Sequence, residues 1–151
     1  MFEYINENVE KVRDPENVMM IKTIKGNVSS YLGAYLKDGE LIRLTKSKNF
    51  MTYPFEPIHW FSREVAGSFY FDGFSTIMDH VSINKQYLES FVYCDSFDSK
   101  KRYDLFVTFT NGIIVRIACT EKKYFENKLK SELKLKFNVK IERRESGITI
   151  D

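Results

Sequence analysis

The chain predicts an α+β fold: a mainly antiparallel sheet of about seven to nine strands, with a short helix at the N-terminus and one helix near the C-terminus. Three observations carry this. Aromatic residues make up 15% of the sequence, with 13 Phe and nine Tyr, and such residues favour strands and large buried areas. Two turn dipeptides, Asp38-Gly39 and Asn111-Gly112, are each flanked by apolar-rich runs, a strong hairpin signal. Finally, the apolar spacing changes from three-and-four to two and back along the chain.

Phe2, Ile5, Val9 and Val12 form the stripe of a short amphipathic helix. Asp14-Pro15 ends it, since a residue before proline avoids the helical region. The run NVMMIKTIKG from Asn17 reads as the first strand. The first hairpin runs from Tyr31 to Lys37, turns at Asp38-Gly39 and returns from Glu40 to Thr45. With a two-residue turn, Lys37 would face Glu40, Leu36 would face Leu41, Tyr35 would face Ile42 and Ala34 would face Arg43.

Between Phe50 and Phe74, nine of 25 residues are aromatic. Pro54 and Pro57 argue against a central strand there, so a structured loop or short helix is expected. Strands are read at GSFYF (Gly67–Phe71), at STIMDHVSI (Ser75–Ile83) and at ESFVYCDSF (Glu89–Phe97), with a loop at DSKKR. The second hairpin extends from Tyr103 to Thr110 and from Ile113 to Cys119. A two-residue turn sets Thr110 against Ile113, Phe109 against Ile114, Thr108 against Val115 and Val107 against Arg116. Both faces are then mostly apolar, which suggests a strand pair inside the sheet.

Thr120 is placed to cap the following helix, whose buried stripe is Tyr124, Phe125, Leu129 and Leu133. From Leu133 onward, Leu135, Phe137, Val139 and Ile141 alternate with Lys134, Lys136, Asn138 and Lys140. That alternation predicts a half-buried strand.

LKDGELIRL (Leu36–Leu44) and FTNGIIVRI (Phe109–Ile117) share a pattern at an offset of 73, with Arg43 and Arg116 in register. The likeness is open to two readings. One is a pseudo-repeat of two strand-plus-hairpin units; the other is that all hairpins with such turns look alike. An arginine on an apolar strand face must pair with an acid or lay its stem flat toward the rim. Arg43 and Arg116 are therefore candidate anion contacts.

A length of 151 residues fits one domain, residues 1–151. A composition 43% apolar and 29% charged is globular. Twenty-three basic against 21 acidic residues give +2, too little to imply nucleic acid or membrane by itself. No apolar run is long enough to span a bilayer. The first residues lack the basic and apolar regions of a signal peptide, and Cys94 and Cys119 form no CxxC or Cys/His cluster. The expectation is a cytoplasmic protein with unpaired thiols. The Lys, Asn, Ile and Phe usage suits an AT-rich microbial or phage genome.

No catalytic, metal or cofactor set is read from the sequence. His59 and His80 stand outside HExxH and HxH patterns. There is no GxSxG, Walker loop or GxGxxG. Asp95 and Asp98 lack the spacing of a calcium loop. Two constellations remain. Tyr53, Phe55, His59, Trp60 and Phe61 are candidate partner-binding residues, because Trp and Tyr bury much area while losing few torsions. Lys134, Lys136 and Lys140 are candidate contacts to a phosphate backbone, although lysines on an outward strand also deter aggregation. The function expected is a non-enzymatic protein-interaction module of inhibitor, immunity or adaptor type. The alternative is a nucleic-acid-binding protein using the C-terminal lysines.

Overall fold

Backbone pairing sorts nine strands into two sheets in the computed structural model, which describes residues 4–25, 30–46, 66–71, 79–97 and 99–145. The chain divides into an N-terminal unit, Met1–Tyr70 with Asp79–Gln86, and a C-terminal unit, Phe71–Met78 with Tyr87–Asp151. The fold is α+β and mostly antiparallel, as the sequence predicts.

The N-terminal unit begins with α1 (Asn6–Lys11), which buries Val9; Val12, just beyond it, is also buried. Asp14 accepts the N–H of Glu16 at 3.1 Å and starts a single 3-10 turn, Pro15–Asn17. Then come β1 (Val18–Lys25), β2 (Ser30–Leu36), β3 (Leu41–Arg43), β4 (Ala66–Phe71) and β5 (Asp79–Asn84), in sheet order β3-β2-β1-β5-β4. Val9 and Val12 pack with Val18, Ile21, Leu32, Ala34, Ile42 and Leu44. Asn84 is buried and its amide donates to Pro15 O at 3.1 Å and Val18 O at 3.0 Å, pinning the start of β1.

In the C-terminal unit, β6 (Leu88–Asp95), β7 (Arg102–Phe109) and β8 (Ile114–Glu121) form a meander. The helical run has three parts: α2 (Lys122–Tyr124), a π turn (Phe125–Leu129) and α3 (Lys130–Phe137). The last strand, β9 (Lys140–Arg143), returns parallel to β6, giving the order β8-β7-β6-β9.

Three expectations need correction. Both hairpins are out by one residue from the two-residue-turn register. Tyr35 faces Leu41 and Gly33 faces Arg43 in the first; Thr108 faces Ile114 and Phe106 faces Arg116 in the second. The cause is the same in each. Gly39 N–H bonds Leu36 O at 2.8 Å and Gly112 N–H bonds Phe109 O at 2.9 Å, and only the glycine takes positive φ, at 91° and 88°. Asp38 and Asn111 instead stay at negative φ and accept the N–H two residues on, from Glu40 and Ile113. This is the three-residue loop with a left-handed bulge. The second hairpin is also not wholly interior, since β8 ends the order of its sheet.

The second correction concerns Leu133 to Ile141, which is not one strand. The helix continues to Phe137 and stops at Asn138, whose φ of 52° and N–H to Lys134 O make a left-handed cap. Phe125, Leu129, Leu133 and Phe137 are buried at steps of four, whereas Leu135, which completed the apparent alternation, is 86% exposed. On a pure α-helix three such steps would drift by about 120°. The π turn adds a residue per turn and offsets part of that drift. The third correction is Thr120, which lies buried in β8, caps nothing and leaves its hydroxyl without a partner among the described residues.

The two meanders repeat one another. In each, the first pair of strands carries a bulge at the same place: Val18 faces Leu36 but Met20 faces Tyr35, and Leu88 faces Phe109 but Ser90 faces Thr108. Lys37 N–H bonds Asn17 O at 2.8 Å, and its counterpart Thr110 N–H bonds Tyr87 O at 2.9 Å. Ile42 and Leu44 are buried around exposed Arg43, as Val115 and Ile117 are around exposed Arg116. Helices cover the matching face in both. Ile21 packs with Val9 and Val12 of the α1 segment, while Phe91, at the equivalent position, meets the ring of Phe137 at 5.3 Å.

Candidate functional site

The C-terminal unit holds the basic excess. The unit has 13 Lys and Arg against 11 Asp and Glu, which accounts for the full +2 of the chain, and between Tyr87 and Glu145 the ratio is 13 to nine. Where those charges sit follows from the strands.

Beneath the helical run lies an aromatic triad. Tyr93, Tyr103 and Phe125 are 4.5 to 5.4 Å apart between ring centres. Polar groups close over it. Asp95 accepts from Lys122 and from Arg143, both at 3.0 Å. The hydrogen bond from Lys122 is the main reason the Asp95 carboxyl lies below its ordinary range, with Arg143 adding to it. Tyr103 donates to Glu126 at 3.2 Å; burial first, then that carboxylate, push its phenol above the usual range. Lys130 donates to Tyr93 Oη at 3.3 Å.

The β7/β8 ladder continues past this triad and makes a second, wetter feature. Arg102 faces Glu121, and Lys122 N–H bonds Lys101 O at 2.9 Å. The KKR of residues 100–102 is thereby set against the KK of residues 122–123. A hollow of about 610 Å³ results, lined by Ser99, Lys100, Lys101, Arg102, Glu121, Lys122 and Lys123. Arg102 lies 3.8 Å from Glu121 and Lys122 is held by Asp95. Lys100, Lys101 and Lys123 are exposed and make no ion pair among the described residues. In the same loop Phe97 is 98% exposed. A linear reading missed this site because each doublet alone looks like a solvated loop or helix start. The available signal was the hairpin register, which predicts that residues just outside β7 and β8 meet.

Lys134 and Lys140 do come together, but across a helix and a strand. With Glu126, Lys130, Ser131 and Ile141 they line a hollow of about 500 Å³. Both are engaged, Lys134 with Val139 O at 3.2 Å and Lys140 with Glu142; the bond from Lys140 also lowers the Glu142 carboxyl. Lys136 is exposed on α3 and does not line that hollow. Arg43 lies over the Tyr31 ring at 4.3 Å in the N-terminal unit. Arg116 is 3.1 Å from Asp104 Oδ1, an ion pair without a hydrogen bond. Tyr53, Phe55, His59, Trp60 and Phe61 lie outside the described residues. Asp79 and His80 are consecutive in β5.

Among the described residues no group of three or more His, Cys, Asp and Glu could hold a metal ion, and no helix is long and apolar enough to cross a membrane. Comparison with known proteins finds no match for this chain among protein-family models, curated proteins or solved structures.

Proposed function

We propose that the protein is a non-enzymatic interaction module that binds a partner protein, in the manner of an inhibitor, immunity factor or adaptor. The observation that carries the reading is the hollow between residues 99–102 and 121–123, where, among the described residues, five basic side chains meet one acid. Gathering like charges raises the energy of the folded chain. Nothing in the packing of β7 on β8 calls for three unpaired lysines there, so a negatively charged partner surface is the natural counterpart. The aromatic run from Phe50 to Phe74 offers a second set of contacts, with Trp60 and Phe55 as anchors. Cys94 and Cys119 are not joined in a disulfide, which suits a reducing compartment such as the cytoplasm.

A second reading, nucleic-acid binding, draws support from the same basic excess and from Lys130, Lys134 and Lys140 around their shared hollow. A tagged pull-down from lysate, with and without nuclease, separates the two. One dominant protein recovered in both halves supports the partner-protein reading. Recovery that disappears with nuclease, together with affinity that falls steeply with salt and on Lys134→Glu with Lys140→Glu, replaces it with the second.

A further inference from the structure

We infer that the hollow at the open end of β7 and β8 is a docking site for a short acidic segment of a partner protein, one that also carries an apolar or aromatic side chain for Phe97. The inference rests on the partner-protein reading above and names the site and the chemistry.

Lys100, Lys101 and Lys123 supply three ammonium groups with no ion pair among the described residues, around a volume of about 610 Å³, room for a few side chains and not for an extended duplex. Ser99 begins the lining two residues after Phe97, so their Cα atoms lie within about 7 Å of each other. A phenylalanine 98% exposed gains by being covered, and here covering it brings the partner against the lysines. Single-strand nucleic-acid sites combine a continuous basic groove with several stacking rings. Among the described residues neither is present: Glu121 lines the hollow itself, Asp95 stands beside Lys122 at 3.0 Å, and Phe97 is the only exposed large aromatic hydrophobe. A long polyanion leaving the hollow would meet these carboxylates, whereas a short acidic segment ends before it does.

The test is an array of immobilised decapeptides on a Gly/Ser background, graded in Asp and Glu content, with and without a central Phe. The full-length chain is the probe. Capture is expected to rise with acid content and to rise further with the central Phe. The triple variant Lys100→Glu, Lys101→Glu, Lys123→Glu should lose about tenfold or more, and Phe97→Ser should lose only the increment due to the central Phe. Thermal unfolding of both variants should match the parent, since all four side chains are exposed. Capture indifferent to acid content, or unchanged in the triple variant, overturns the site while leaving an interaction module in place. Displacement of acidic peptides by oligo-dT at lower concentration than by free peptide overturns it in favour of nucleic acid. No capture on the array, combined with no protein recovered from lysate, removes the site and the partner-protein reading together.

Discussion

Arg43 lies over a tyrosine ring and Arg116 lies beside a carboxylate, yet the two arginines occupy the same place in two copies of one backbone plan. Each faces an equivalent residue across its hairpin, Gly33 or Phe106, and each finds its partner two residues before it, at Tyr31 or Asp104. The bulge, the turn and the alternation of burial recur; the chemistry of the partners does not. Burial pattern and turn geometry set the frame, and exposed pairs vary within it because they contribute little to stability. The units diverge where the frame ends. β3 has three residues and β8 has eight, and the connection before β7 spans 96–101 where that before β2 spans 26–29. The basic hollow is built from this extra length, and the described part of the N-terminal meander has no ladder corresponding to Arg102 with Glu121. The fourth strand differs too, β5 running antiparallel to β1 while β9 runs parallel to β6.

The equivalence can be broken first in the cores. Ile21 and Phe91 are both fully buried at matching positions. Phe91→Ala should destabilise by about 3–5 kcal/mol and Ile21→Ala by about 2–5 kcal/mol, read by urea unfolding. A loss below about 1 kcal/mol at either position would remove that residue from the core and break the alignment of the two helix-covered faces.

The turns come next. Alanine at Gly39 or at Gly112 must take the left-handed region, so each change should destabilise by about 1–2 kcal/mol. At Gly112 an added Cβ meets nothing within 4 Å, so conformation alone sets the loss there. Unequal losses at the two glycines would show that the shared hydrogen bonds conceal different strain.

The arginines should give smaller effects. Arg116→Ala should remove at most about 1 kcal/mol, shrinking toward zero in 1 M NaCl as the half-exposed pair is screened. Arg43→Ala should remove about 0.5–1 kcal/mol, part of it through the ring contact with Tyr31. An equal loss in a Tyr31→Ala background would mean that the ring contributes nothing specific.

The smallest effect is confined to the C-terminal unit. The Asp95 carboxyl lies below its ordinary range when folded, so its contribution is present above the unfolded-state value and is lost as pH falls through the lower folded value. Acid titration of stability should therefore be shallower in Asp95→Asn than in the parent. Identical acid limbs would mean that Lys122 and Arg143 do not hold the carboxylate in solution.

The sequence by itself determined the class of fold, the positions of both hairpins, the core strands β1, β6 and β7, and the likeness at an offset of 73. These follow from local signals, since alternating apolar residues and Asp-Gly or Asn-Gly turns act over a few positions. Tertiary structure alone decided the register, because the N–H groups of Gly39 and Gly112 choose among turn types that share the same two residues. It also decided the fate of Leu133 to Phe137. Alternation and a step of four were both written there, and burial of Leu133 and Phe137, with Phe137 against Phe91, selected the helix and left Leu135 in water. The lysines read as one ladder were thereby divided between α3 and β9. The basic hollow was the least legible, because Lys100–Arg102 and Lys122–Lys123 are far apart in the chain and become one site only when β7 pairs with β8.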